Sequence, residues 1–190
     1  MNTMNENVLQ LRVVDFIGSS EAWGRTQGRQ ISRLLEDEIF KADKDNPGGR
    51  VVVLDFTGLT KMDASFPQEA VVEIVRKFRG LKYFVITNID NEAIEENMSM
   101  AFEKRKETGL IRDARGLRII GSQLGPDFEK IIKFAEGREF ITSKDVQDYL
   151  KLSVQNAANK LKAVWEMGLL QRTEGNAKSG GRENIYSKVG

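Results

Sequence analysis

Arg50-Val51-Val52-Val53-Leu54-Asp55-Phe56-Thr57-Gly58-Leu59-Thr60-Lys61-Met62-Asp63-Ala64-Ser65-Phe66 is the stretch on which the reading of this chain turns. Val51 to Leu54 is continuously apolar, which is the pattern of a strand covered on both faces. A short polar link follows. From Ser65 the pattern changes: Phe66, Ala70, Val71, Ile74, Val75 and Phe78 fall on one helical stripe, which predicts a helix over about 65–79. A buried strand that hands over directly to an amphipathic helix is the repeating unit of a parallel sheet with helical crossovers.

The same alternation extends in both directions. Upstream, Val8 to Ile17 contains Val13-Val14 and Phe16-Ile17 and reads as a strand, with Gly18-Ser19-Ser20 as a helix start. The helix expected over about 20–41 places Ile31, Leu34, Leu35 and Ile39 on one face, and Asn46-Pro47-Gly48-Gly49 is a turn. Downstream, Leu81 to Thr87 is another buried strand. A helix over about 91–106 turns Ile94, Met98, Ala101 and Phe102 inward. Leu110-Ile111 and Leu117 to Ile120 form a hairpin around Ala114-Arg115-Gly116. The expectation is an α/β domain with a mostly parallel sheet over residues 1–122.

The texture changes near Gly121-Ser122-Gln123-Leu124-Gly125-Pro126, and residues 123–190 read as a small α+β domain. A helix over about 127–136 turns Phe128, Ile131, Ile132 and Ala135 inward. A short one over 142–150 buries Val146, Tyr149 and Leu150, and its start Thr142-Ser143-Lys144-Asp145 approximates a capping box. A third over about 153–167 packs Ala157, Ala158, Leu161, Val164 and Trp165 and stops at Gly168. Leu169 to Arg172 and Arg182 to Val189 then form two strands around the Gly-rich tip Gly175 to Gly181.

Composition narrows the chemistry. The 190 residues include no His and no Cys. This excludes Ser-His-Asp triads, Cys nucleophiles, disulfides and Cys/His zinc sites, and leaves only oxygen ligands for a metal. Neither phosphate-loop pattern, Gly-x-x-x-x-Gly-Lys-Ser/Thr or Gly-x-Gly-x-x-Gly, occurs. Trp23-Gly24-Arg25-Thr26-Gln27-Gly28-Arg29 is Gly-rich and basic; it suits either an anion or close helix approach. Asp55 and Asp63 make a weak carboxylate pair, and Asp63 reads better as a turn residue. No enzyme site and no cofactor are expected. The polar Met1 to Glu6 leads into no signal-peptide core, and no apolar run approaches the ~20 residues of a membrane helix. A soluble, cytoplasmic protein with no membrane partner is expected. The net charge of +1 conceals a division: residues 1–122 carry −1, residues 123–150 carry −2, and residues 151–190 carry +4.

Two short helices, a tight turn and a hairpin over about 126–189 resemble a winged helix-turn-helix, on Thr142-Ser143-Lys144-Asp145-Val146, on Leu152 to Leu161 and on Gly168-Leu169-Leu170. The resemblance implies double-stranded DNA as partner. Its reading helix would bury Ala157, Ala158 and Leu161 and present Ser153, Gln155, Asn156, Asn159 and Lys160. Asn and Gln can pair with adenine edges, and a Ser cap leaves backbone N–H groups for phosphate. Lys151, Lys162, Lys178 and Arg182 suit phosphate or minor-groove contact. A solvated face on a winged helix used for assembly is the alternative. Paired half-sites would imply a homodimer. Trp165 suits the core by register and a stacking platform by chemistry.

Residues 8–122 resemble the STAS-type domains of anti-sigma-factor antagonists, and more closely the STAS-like family of unassigned function. Leu54-Asp55-Phe56, Ser65-Phe66, Glu69 and Gly24-Arg25…Gly28-Arg29 carry the likeness. The resemblance implies a sensing or partner-binding module. Its alternative use is docking on an ATPase-kinase that phosphorylates the Ser at the helix start, here Ser65 after Asp63. Phe66-Pro67 stands where antagonists have a small Gly. Ser65-Phe66-Pro67-Gln68 also fits a capping box with Ser65 as the N-cap. Together the two modules lead to the expectation of a non-enzymatic transcriptional regulator.

Overall fold

The computed structural model describes residues 8–45, 50–176 and 182–190. It divides into two compact units, one running to Gln123 and joined by Gly190, the other Leu124–Val189.

The first unit is α/β. In chain order it comprises β1 (Val8–Arg12), α1 (Val13–Ile17), β2 (Glu21–Ala22), α2 (Gly24–Asp45), β3 (Val51–Asp55) and β4 (Lys61–Met62). α3 (Ser65–Pro67) then passes through a π-helical turn (Gln68–Val72) into α4 (Glu73–Lys77). β5 (Tyr83–Thr87), α5 (Glu92–Lys104), β6 (Thr108–Asp113) and β7 (Gly116–Gly121) follow. The five-stranded sheet has the order β1-β3-β5-β6-β7. The first four strands are parallel, and β7 pairs antiparallel with β6 through a tight hairpin. Val51, Val52, Leu54 and Asp55 on β3 are all buried, as a strand with a neighbour on each side and helices over its faces requires. Ile31, Leu35 and Ile39 of α2, Phe66 and Ile74 of the α3–α4 segment, and Met98 and Phe102 of α5 complete the core.

Four expectations are corrected in this unit. Leu34, read on the inward face of its helix, is exposed, and Leu81, read as the start of a buried strand, is exposed and precedes β5. The strand read over Val8 to Ile17 stops at Arg12. Arg12 pairs with Asp55, the last residue of β3, so no ladder partner remains for Val13. The chain turns into a short helix instead, buries Val13 and packs Phe16 and Ile17 on the core; Gly18 closes it at φ 69°. The next helix starts at Gly24 rather than near Ser20, because Glu21-Ala22 is held as a parallel pair with Lys61-Met62.

The second unit contains α6 (Pro126–Glu136), α7 (Ser143–Leu150), α8 (Val154–Glu166) and an antiparallel hairpin of β8 (Gln171–Asn176) and β9 (Arg182–Ser187). Ile141, ahead of α7, bridges Tyr186 of β9 through two backbone hydrogen bonds of 2.7 and 2.9 Å. Ile131, Ile132, Ala135, Ile141, Val146, Ala157, Leu161, Val164, Leu170 and Tyr186 are each buried in this small unit. Tyr149, expected inside, is exposed and stacks on Phe134 with ring centroids 4.2 Å apart.

Candidate nucleic-acid interface and helix-start cluster

Sequence chemistry fixes how α7 meets α8. The Thr142 hydroxyl accepts from the Asp145 N–H, and the Asp145 carboxylate accepts from the Thr142 N–H at 2.7 Å, a reciprocal cap. Lys151 ends α7 in the left-handed region at φ 56°, turning the chain within three residues. Ser153 then caps α8, its Oγ accepting from the Asn156 N–H at 3.2 Å. Ala157, Leu161 and Val164 bury one face of α8. Val154, Gln155, Asn156 and Asn159 are exposed, and Gln155 Nε2 donates to Asn159 Oδ1 at 3.0 Å. Four of the residues singled out from the sequence, Ser153, Gln155, Asn156 and Asn159, thus share the first two turns of one helix.

The cations are distributed differently. Lys160, read as part of the outward face, is only 22% exposed. Its Nζ lies 3.1 Å from the Asp127 carboxylate and 5.1 Å from the Phe128 ring centre, so α6 takes this charge away from the polar face. Asp127 and Phe128 lie on another helix, which is why the spacing within α8 could not show it. Arg182 is 86% exposed and 3.8 Å from Glu174 across the hairpin. Lys151 is exposed, and Lys162 pairs with Glu166 at 3.6 Å. Lys178 lies outside the described residues. The Arg172 guanidinium stacks on Trp165 at 3.4 Å.

The other cluster lies at the start of α3. Asp63 Oδ1 accepts the N–H groups of Gly24 (3.1 Å) and Phe66 (2.9 Å), and Oδ2 accepts the Ser65 hydroxyl (2.9 Å). Burial alone would push the Asp63 carboxyl up. These donors outweigh it and hold the group below the ordinary carboxylate range. The capping box read with Ser65 as N-cap is corrected: the N-cap is Ala64, and Asp63 supplies the acceptor. A phosphate on Ser65 would stand directly against this carboxylate. Asp55, at the end of β3, is likewise pushed up by burial. The Thr57 hydroxyl and N–H, Asn88 and Gln10 donate to it and leave it lowered. Asp63 thus accepts from three protein donors and Asp55 from four, which ties both carboxylates into the local backbone.

Sequence reasoning passed over Val154 and over Arg105 as a partner of Glu69. Val154 is 54% exposed at the head of α8, and an exposed Val at the first helical position has no periodic signature. Glu69, buried on the π turn, is held by Arg29 at 3.0 Å and Arg105 at 3.4 Å. Glu69 and Arg29 were visible in the family likeness; Arg105, 36 residues further on, was not.

No protein-family model and no curated protein matches the chain. Among solved structures, one similar chain is described as "Possible transcriptional regulator from Methanosarcina mazei Go1". The two are 25% identical, with a TM-score of 0.32, over 35% of this chain and 57% of that one. The match thus spans little more than half of that neighbour. Among the described residues no group of acidic side chains converges to hold a metal ion, and no helix is long and apolar enough to cross a membrane.

Proposed function

We propose that this chain is a non-enzymatic, DNA-binding transcriptional regulator. Its second unit acts as a winged helix-turn-helix reader, and its first as a STAS-like module that binds a signal or a protein partner. The observation that carries the reading is α8. It is capped by Ser153 and anchored by Ala157, Leu161 and Val164, and it turns the hydrogen-bonding side chains Gln155, Asn156 and Asn159 to solvent. A helix that enters a major groove needs that division. The order α7, turn, α8, hairpin supports it, and the +4 charge of residues 151–190 supplies the attraction to phosphate. The first unit supports a STAS-like reading through its parallel sheet and the passage from Leu54-Asp55-Phe56 to the helix start at Ser65.

The test is a mobility shift of a random duplex pool by the full chain at low salt. Wild type is expected to retard the pool. Lys151→Glu combined with Arg182→Glu, both at exposed positions, should weaken retardation at least tenfold with an unchanged circular dichroism spectrum. Absence of retardation by wild type under these conditions sinks the proposal.

A further inference from the structure

Three neighbouring side chains on α8 specify more than duplex binding. Gln155 and Asn159 are tied amide to amide at 3.0 Å. In that pair Gln155 Oε1 and Asn159 Nδ2 take no part in the tie, and Gln155 Nε2 and Asn159 Oδ1 each keep one further hydrogen-bonding position. Adenine presents a donor (N6–H) next to an acceptor (N7) in the major groove, whereas guanine presents two acceptors. The tied amides therefore offer the donor and acceptor together that adenine complements. Val154 precedes them, an apolar side chain 54% exposed at the first helical position. In a major groove its complement is the thymine C5-methyl group, the apolar feature of that edge. Of the cations on α8, Lys160, the one adjoining Asn159, is held by Asp127 and Phe128.

We infer that Val154, Gln155 and Asn159 are specificity-determining residues that select duplex sites containing adenine–thymine pairs, the tied amides on adenine and Val154 on a thymine methyl. This rests on the duplex-reading function proposed above.

The experiment is selection of bound duplexes from a random pool by the full chain, followed by affinity measurements on the selected site with two base analogues. Uracil in place of thymine removes the methyl, and 7-deazaadenine in place of adenine removes N7. Selected sites are expected to be enriched in adenine–thymine pairs. Uracil substitution should weaken wild type several-fold and leave Val154→Ala unaffected. The 7-deaza substitution should weaken wild type and leave Gln155→Ala/Asn159→Ala unaffected. All three positions are exposed, so the variants should melt as wild type does. Sites read at guanine, or wild-type affinity indifferent to both analogues, would overturn the inference while leaving duplex binding intact. Failure to bind any duplex would overturn both.

Discussion

Asp63 joins the starts of two helices, since one carboxylate oxygen accepts N–H groups from both Gly24 and Phe66. Its contribution should depend on pH in one direction. A carboxyl whose folded value is depressed adds stability that is complete above the unfolded value, about 4, and is lost as pH falls through the lower folded value. Asp63→Ala is therefore expected to cost about 2–3 kcal/mol at neutral pH, from the donors left without an acceptor. That deficit should shrink below about pH 4. Urea unfolding of both proteins from pH 7 to pH 2.5 checks this, and a deficit independent of pH would contradict it. Asp63 could be read from the sequence as a turn residue, but not as the cap. Pro67 has no N–H to offer, so the unsatisfied donors lie at Ser65 and Phe66, and the carboxylate two residues before Ser65 reaches them.

The π turn Gln68–Val72 sets how closely two helices approach. Gly28 of α2 sits against it: a Cβ there would lie 2.6 Å from the Phe66 carbonyl oxygen and 3.0 Å from the Glu69 Cβ. The obstacle is partly backbone, which cannot rotate away. Gly28→Ala is expected to destabilise the chain by about 1–3 kcal/mol despite the better helix propensity of Ala. A thermal melt of the single variant checks it, and an unchanged or raised midpoint would show that α2 can shift. The sequence revealed the elements whose pattern is unambiguous: β3 by its unbroken apolar run, α5 through Ile94, Met98, Ala101 and Phe102, and α7 by its cap. It did not reveal the π turn, because one extra residue in a turn leaves Phe66, Ala70, Val71 and Ile74 on the same stripe. It did not reveal the pairing of β2 with β4 either, since two-residue strands have no period. Val13, Phe16 and Ile17 fit the i, i+3, i+4 spacing of a helix as well as an apolar strand, and the end of β3 decided between the two.

At the scale of the whole molecule, charge and hydrogen-bonding chemistry are assigned to different residues. The excess positive charge lies in residues 151–190, whereas the exposed head of α8, Val154 to Asn156 and Asn159, is uncharged. Under the duplex-reading function proposed above, affinity and selectivity should then respond differently to salt. Each phosphate neutralised contributes about 0.9 to the slope of log affinity against log salt. Arg182→Glu is expected to lower that slope by about 1 or more. Asn159→Ala should weaken the selected site and leave the slope unchanged. Titrations at four or five salt concentrations separate the two, and a slope altered equally by both variants would contradict the division. The tie between Gln155 and Asn159 has one more consequence. These side chains bond to each other and α8 is anchored on its opposite face, so they can be exchanged without disturbing the core. On the duplex-reading function proposed above, descendants of such a gene after duplication acquire new operators by two or three surface substitutions, each neutral for folding, and this part of the surface is where paralogues should differ first.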